Sequence, residues 1–304
     1  MTHAVLVTVG LVVKNNENTI RQAIGSVIDQ DFPHECMELI VIDGNSGDST
    51  VPIIQQELSK SDLPLRILRE NAGLGYARQL VVDNALGNFI VWVDGDMVLS
   101  KDFVRKQVAF MEQNPKVGVA KGQLTLEPSD NTLGTLEAFS RAAGKMVDYR
   151  SKKAFSKVLG TSGCIYRTFV IVQAGGFAKD LRGYGEDWDL EIRVRAAGWS
   201  LLTTDAKYLD YERKGLTWKA LWNRYWRRGY DTHYFLHKNG ALIKHYRMFP
   251  PAAFLFGLIS AHKLFKITQK KVVFLLPFQH VFKMTAWYVG FLNSHLCFYQ
   301  PKSL

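Results

Sequence analysis

The chain opens on an apolar run over residues 5–13, turns polar at Asn15-Asn16-Glu17-Asn18, and then places Ile20, Ala23, Ile24, Val27 and Ile28 at helical spacing. The run reads as a buried strand, the polar cluster as a turn and N-cap, and the spaced residues as one face of an amphipathic helix. The pattern then repeats. Residues 39–42 form a second apolar run, which ends in Asp43-Gly44-Asn45-Ser46-Gly47-Asp48-Ser49-Thr50 before a helix with Pro52 in its first turn. Residues 65–68 form a third. Gly73-Leu74-Gly75 follows, and a helix with Ala77, Leu80, Val81 and Ala85 on one face. A fourth run, residues 89–97, ends in Asp94-Gly95-Asp96. Strand and helix in alternation predict an α/β fold, a mostly parallel sheet with helices on both faces.

Beyond it, Ser100 is placed to cap a helix starting near Asp102, residues 117–126 read as a strand, and residues 133–148 as a helix. Residues 160–167 form a glycine-punctuated strand, either close to a ligand or a bulged edge. Tyr184-Gly185-Glu186-Asp187-Trp188-Asp189 opens a helix with Leu190, Val194 and Ala197 on its apolar face and Gly198 as its stop. Thr217 caps a helix whose stripe is Trp218, Leu221, Trp222 and Tyr225; Arg224, Arg227 and Arg228 lie within it and Gly229 ends the cluster. From Phe249 the composition shifts to two apolar stretches, residues 249–259 and 272–298, interrupted by His262, Lys263, Lys266, Lys270, Lys271 and Lys283. Neither supplies the ~18–20 clean apolar residues of a spanning helix. Lysines beside Phe, Trp and Tyr instead fit helices lying on an anionic bilayer, or an appendage packed on the main domain or on a second copy in a homo-oligomer.

Charge narrows the partners. Lys+Arg number 38 against 28 Asp+Glu in 304 residues, a net +10. Such a balance suits nucleic acid, an anionic membrane or a phosphorylated substrate, and no nucleic-acid motif is present. Cys36, Cys164 and Cys297 show neither metal-ligand spacing nor a disulfide framework, as expected in a reducing compartment. The first residues lead into a strand and carry no signal-peptide pattern, so a cytoplasmic protein, peripheral at the inner face of the membrane, is expected.

The candidate chemistry lies at the strand ends. Residues two apart on a strand share a face, so Asp94 and Asp96 converge if extended backbone persists through Gly95. Two hard oxygen donors there suit Mg2+ or Mn2+ held with a substrate diphosphate; by itself the tripeptide reads first as a polar turn after an edge strand. In open α/β sheets ligands sit beyond the carboxyl ends of the strands, so residues 14–17, 43–46 and 94–96 are expected to line one cleft. Glu186 and Asp187 suit the positive end of a helix dipole, and the same position keeps a carboxylate ionised and able to accept a proton. Aromatic neighbours Tyr184 and Trp188 would exclude water there. The arginine cluster reads either as a solvated face or as a diphosphate or headgroup site.

Taken in order, these pieces resemble the inverting glycosyltransferases of family 2, with the GT-A fold. They are Lys14-Asn15-Asn16-Glu17, Asp43-Gly44-Asn45-Ser46, Asn71-Ala72-Gly73-Leu74-Gly75-Tyr76-Ala77-Arg78, Asp94-Gly95-Asp96, Gly175-Gly176-Phe177, and Gly185-Glu186-Asp187-Trp188. The resemblance implies a catalytic domain over residues 1–212 and a helical, apolar and basic C-terminal region over 213–304. It also implies a UDP- or GDP-sugar donor near Lys14, Glu17, Asp43, Asn45, Arg78 and Asp94, a Mn2+ or Mg2+ ion at Asp96 and Asp94, and Asp187 as general base. Glu186, Trp188, Arg224, Arg227 and Arg228 become candidates for the acceptor or the diphosphate. The implied acceptor is a hydroxyl of a lipid-linked or membrane-proximal glycan; the alternatives are a polyprenyl-phosphate sugar synthase and a non-catalytic nucleotide- or glycan-binding module. Two positions depart from the family pattern: Lys14 stands where an aromatic residue often stacks on the base, and Asp210 stands near the place where many relatives carry a metal-binding histidine.

Overall fold

A computed structural model describes residues 6–125, 127–145, 159–211, 215–239 and 249–297. The ends of several expected elements, at residues 5, 126, 146–148 and 298, and the domain boundary at 212–213 lie outside these.

The α/β alternation is present. In chain order the elements are β1 (Val7–Val13), α1 (Ile20–Ile28), β2 (Met37–Asp43), α2 (Thr50–Leu58), β3 (Leu65–Arg69), α3 (Leu74–Asn84) and β4 (Phe89–Asp94). Then come β5 (Met97–Leu99), α4 (Phe103–Gln113), β6 (Val117–Leu124), α5 (Thr132–Lys145), β7 (Cys164–Arg167), α6 (Thr168–Gln173), α7 (Glu186–Ala196) and β8 (Ser200–Asp210). Among the described residues three long helices follow: α8 (Trp218–Asn239), α9 (Pro250–Thr268) and α10 (Leu276–Leu296). The described strands join in one eight-stranded sheet of order β3-β2-β1-β4-β7-β6-β8-β5. The β3-β2-β1-β4 half is parallel, β7 runs antiparallel to both β4 and β6, and β5 runs antiparallel to β8.

Strand alternation sorts the core into two layers. Val91 and Val93 of β4 join a cluster with Ile24 of α1 and Val104 of α4 on one face. Ile90 and Trp92 join Val81 of α3, Ile171 of α6 and Val194 of α7 on the other.

Two local expectations are corrected. The extended backbone does not persist through Gly95: β4 stops at Asp94, Gly95 and Asp96 form a turn, and the chain leaves to pair as β5 with β8. Asp94 and Asp96 are therefore neighbours across a turn rather than side chains on one strand face. Ser100 does not cap α4; its hydroxyl donates to Asp102 at 2.8 Å, and Asp102 precedes the helix.

Thr217 does cap α8, its Oγ1 accepting from the Ala220 N–H at 3.2 Å. That helix runs on past Gly229 to Asn239. Gly229 marks a close approach. A Cβ on Gly229 would collide with the carbonyl oxygen of Trp287 in α10, and one on Gly290 with that of Trp226 in α8. Below this crossing, Glu137 of α5 and Lys283 of α10, both essentially sealed from solvent, form an ion pair at 2.9 Å. Against the cost of burial, the Lys283 ammonium and its hydrogen bond hold the Glu137 carboxyl below the usual range. Tyr225 of α8 donates to the same carboxylate at 3.0 Å, so one acidic group ties three helices together. No described helix is long and apolar enough to cross a membrane.

The glycine crossing is testable. Gly290→Ala must push α8 and α10 apart, and its urea denaturation midpoint should fall by the equivalent of about 1–3 kcal/mol, the usual cost of overpacking. A midpoint equal to that of the parent protein would show that the helices do not approach this closely.

Candidate active site

The loops after β1 and β2 are laced together. The Asn15 N–H donates to Ser46 Oγ at 3.0 Å, the Asn16 N–H to Thr50 Oγ1 at 2.7 Å, and the Gly47 N–H to Asn15 Oδ1 at 2.9 Å. Asn15 and Asn45 adopt left-handed backbone with φ of 53° and 57°, which asparagine tolerates better than most residues. Glu17 accepts from the Ser49 N–H at 3.2 Å, at the start of α2. Asp43 is buried, accepts from the Ser46 N–H at 3.1 Å, and has Arg69 Nε 3.7 Å away. Lys14 runs alongside Gly44.

The Asp-Gly-Asp turn packs onto the first of these loops. Thr19 Oγ1 donates to the Gly95 carbonyl at 2.7 Å, and a Cβ on Gly95 would lie 2.9 Å from the Asn16 amide carbon, so a side chain there would have to displace Asn16. The departure of the chain into β5 sets Met97 opposite Asp210, and the Tyr211 N–H donates to the Asp96 carbonyl at 2.8 Å. That register brings Asp210 up to Asp96, and Arg141 of α5 pairs with Asp210. Burial, followed by the negative charges of Asp210 and Asp94, pushes the Asp96 carboxyl up to about 7, against the pull of Arg141.

The second acidic pair stands on the first turn of α7. Gly185 ahead of it has φ of 94°, a conformation that favours glycine. Glu186 is buried and ion-paired with Arg78 of α3; Asp187 Oδ2 lies 3.9 Å from the same guanidinium. Between the two acidic groups runs residues 159–163. Ser162 Oγ donates to Asp94, and the Thr161 N–H donates to Asp187 Oδ2 at 3.3 Å. The segment is anchored from below: the Leu159 N–H donates to Glu191 Oε2 at 2.6 Å, and Lys121 Nζ donates to the Leu159 carbonyl at 2.6 Å. Tyr166 donates to the other Glu191 oxygen at 2.9 Å. Burial, then the charge of Asp187, pushes the Glu191 carboxyl up to about 7.

These groups surround one cavity of about 940 Å3. Of the residues singled out in the sequence, it gathers Arg78, Asp94, Asp96, Glu186, Asp187, Arg224, Arg227 and Arg228. Arg228 lies over the ring of Tyr225, 5.1 Å from its centroid, and also over Tyr184. Lys14, Glu17, Asp43 and Asn45 do not line the cavity; they build the laced loops that abut it through Asn16 and Gly95. Trp188 lies behind the wall, edge-on to Tyr184 and Phe235. Arg141, Ser162 and Asp231 line the cavity without having been singled out. Asp231 could have been found, since 224, 227, 228 and 231 form one helical stripe. Ser162 carries no pattern beyond its glycine-rich surroundings.

Among the described residues, no group of three Asp, Glu, His or Cys side chains is arranged to hold a metal ion alone. Asp94 and Asp96 at the cavity wall nevertheless fit a hard divalent cation that takes its remaining oxygens from substrate phosphates and water. The crowding of Asp94, Asp96 and Asp210 is the kind of repulsion such a cation relieves.

The sequence pattern of "Glycosyl transferase family 2" matches residues 8–171, more than half of the chain. The poly-beta-1,6-N-acetyl-D-glucosamine synthase of Staphylococcus epidermidis is 24% identical over 206 residues, covering 67% of this chain and 47% of that protein. Staphylococcus aureus TarS, a poly(ribitol-phosphate) beta-N-acetylglucosaminyltransferase, is 31% identical over 101 residues, covering 33% of this chain and 18% of that protein. The chain thus spans less than half the length of these curated relatives. Mannosyltransferase PcManGT from Pyrobaculum calidifontis, solved with GDP-Man and Mn2+, superposes with a TM-score of 0.64 at 17% identity over 96% of this chain and 88% of that one. That likeness is one of fold, and it confirms the expected GT-A architecture.

The buried Glu191 anchor makes a pH prediction. Its folded value lies above the unfolded value of 4.5, so between about 4.5 and 7 the folded state binds more protons than the unfolded one. Its destabilising contribution is therefore absent below that window and fully present above it. Glu191→Gln should gain stability relative to the parent protein as pH rises from 5 to 8, by up to about 3 kcal/mol in urea denaturation. A difference that is the same at both pH values would contradict this.

Proposed function

This chain belongs to glycosyl transferase family 2, and from that premise we propose that it is an inverting transferase moving a sugar from a nucleoside-diphosphate donor to a hydroxyl of a lipid-linked or membrane-proximal glycan. The observation that carries the reading is that Asp94, Asp96 and Asp187 line one and the same cavity.

In this reading the donor's base meets Asp43, whose buried carboxylate accepts from a ring N–H, and the ribose or sugar meets Asp94. Lys14, Glu17 and Asn45 shape the loops around the nucleotide, and Arg78, held by Glu186, stands beside it. Asp96, with Asp94 next to it, would hold Mn2+ or Mg2+, which when bound supplies Lewis-acid neutralisation of the departing diphosphate. Arg224, Arg227 and Arg228 bring fixed positive charge into the same cavity. Asp187 takes the proton of the acceptor hydroxyl as that oxygen attacks the anomeric carbon. The bond to the diphosphate oxygen breaks on the opposite face, and the one displacement inverts the centre.

The catalytic unit is assigned to residues 1–212, and the helical region from 213 onward to membrane contact. On α9, Phe256, Leu258 and Ile259 are exposed in the same helix as Lys263 and Lys266, as suits a helix resting on an anionic surface. The arginine stripe also favours a second reading, in which the acceptor is itself a polyprenyl phosphate. That acceptor is already anionic and needs little general base.

One substitution separates the two. With a hydroxyl acceptor, Asp187→Asn should lower kcat at least ~10²-fold, with the donor KM little changed. The assay is release of nucleoside diphosphate with Mn2+ and membrane-extracted acceptor. A variant that keeps most of its activity would indicate a phosphate acceptor. A parent protein that turns over no nucleotide sugar with any such extract would overturn the transferase reading itself. EDTA should abolish the release, and added Mn2+ should restore it.

A further inference from the structure

A second concavity, of about 550 Å3, lies between α5, the start of α8 and the start of α10. Its volume falls in the range of small-molecule sites, roughly 300–1,000 Å3. Its walls are apolar: Leu133 and Leu136 from α5, Leu216 and Trp218 at the head of α8, and Leu275 and Phe278 at the head of α10. Three of these stay open to solvent, Trp218 at 52%, Leu275 at 47% and Phe278 at 65% exposure. Large side chains left wet around a groove mark a surface that binds something apolar.

The groove adjoins the arginine-lined cavity. Leu216 lines both. Trp218 in the groove and Arg224 in the cavity stand six residues apart on α8, about 9 Å along its axis and about a third of a turn around it. The two also share a foundation: Gln279 at the groove lines up its Nε2 on Glu137 at 3.4 Å, and Arg224 lies 3.9 Å from the same carboxylate. At the other end, Phe278 meets Phe254 of α9 edge-on at 5.9 Å, so the apolar surface runs on to the exposed residues of α9.

We infer that this groove holds the hydrocarbon chain of a lipid phosphate or diphosphate whose anionic head reaches Arg224, Arg227 and Arg228. Each half of the site calls for the corresponding half of that ligand. A free hydrocarbon would gain nothing from the positive charge beside the groove, and a soluble sugar phosphate would leave the groove wet. A chain running out past Phe278 towards α9 would continue into a bilayer on which that helix rests. The inference deepens the transferase reading and rests on it for the role of the ligand, as carrier of the acceptor or as acceptor.

The test is calorimetric titration with farnesyl phosphate below its micelle concentration, with farnesol and inorganic phosphate as half-ligands. Farnesyl phosphate should bind at least tenfold more tightly than either half. Phe278→Asp and Arg227→Gln should each weaken it at least tenfold, whereas Val172→Asp, an equally exposed apolar site on α6, should leave it unchanged. Should Phe278→Asp fail to fold by thermal melting, Trp218→Gln makes the same test. Farnesyl phosphate binding no better than inorganic phosphate, or equally well to the groove variant, would overturn the inference. Donor turnover by the parent protein is read separately, as nucleoside diphosphate release. Groove-dependent lipid binding without any turnover would remove the transferase reading and leave the groove; turnover with lipid binding indifferent to Phe278→Asp would do the reverse.

Discussion

The site depends on a five-residue segment that touches both acidic groups at once. Residues 159–163 hand a serine hydroxyl to Asp94 and a backbone N–H to Asp187, and so set the separation of two carboxylates far apart in sequence. Short loops seldom hold such a position alone. Here Leu159 is gripped through both backbone polar groups by buried ionisable side chains, Glu191 and Lys121. Burying charged groups is costly unless each is hydrogen-bonded, and both are. A hydrocarbon side chain at either position could fill the space but could not orient the loop.

The C-terminal helices complete the cavity rather than merely follow the sheet. α8 supplies its arginines, and α8 stays in place because Gly229 and Gly290 let it lie against α10. The buried Glu137 then accepts from Tyr225, Lys283 and Gln279 together. A charge so deeply buried is destabilising if any partner leaves, so α5, α8 and α10 should move as one body. The arginines that α8 brings to the cavity are thereby held by the same packing as α5 and α10.

Much of this was legible in the residues. The apolar runs and the period-3.6 patterns located the strands and helices of the parallel half, because buried β-branched runs and amphipathic helices each leave a local signature. Asp94, Asp96, Asp187 and the arginines were recognisable because charged groups at strand and helix ends stand out against an apolar background. What local patterns cannot carry is topology. The antiparallel insertion of β7 between β4 and β6, and the return of β5 beside β8, come from long-range pairing; they placed Asp210 next to Asp96 and made the acidic tripeptide a turn. Gly229 gave no local sign of its role, because the α10 backbone facing it is some sixty residues away in sequence. Ser162 was silent for the same reason: its importance lies in what it reaches.

The central claim is that one cavity holds a cation-binding side and a proton-accepting side. The most direct measurement is an anomalous difference map from crystals grown with a nucleoside diphosphate and Mn2+. It should show the ion bonded to Asp96, the diphosphate between it and the α8 arginines, and Asp187 facing the open side of the same cavity. A Mn2+ ion bound elsewhere, with the nucleotide outside this cavity, would contradict the claim.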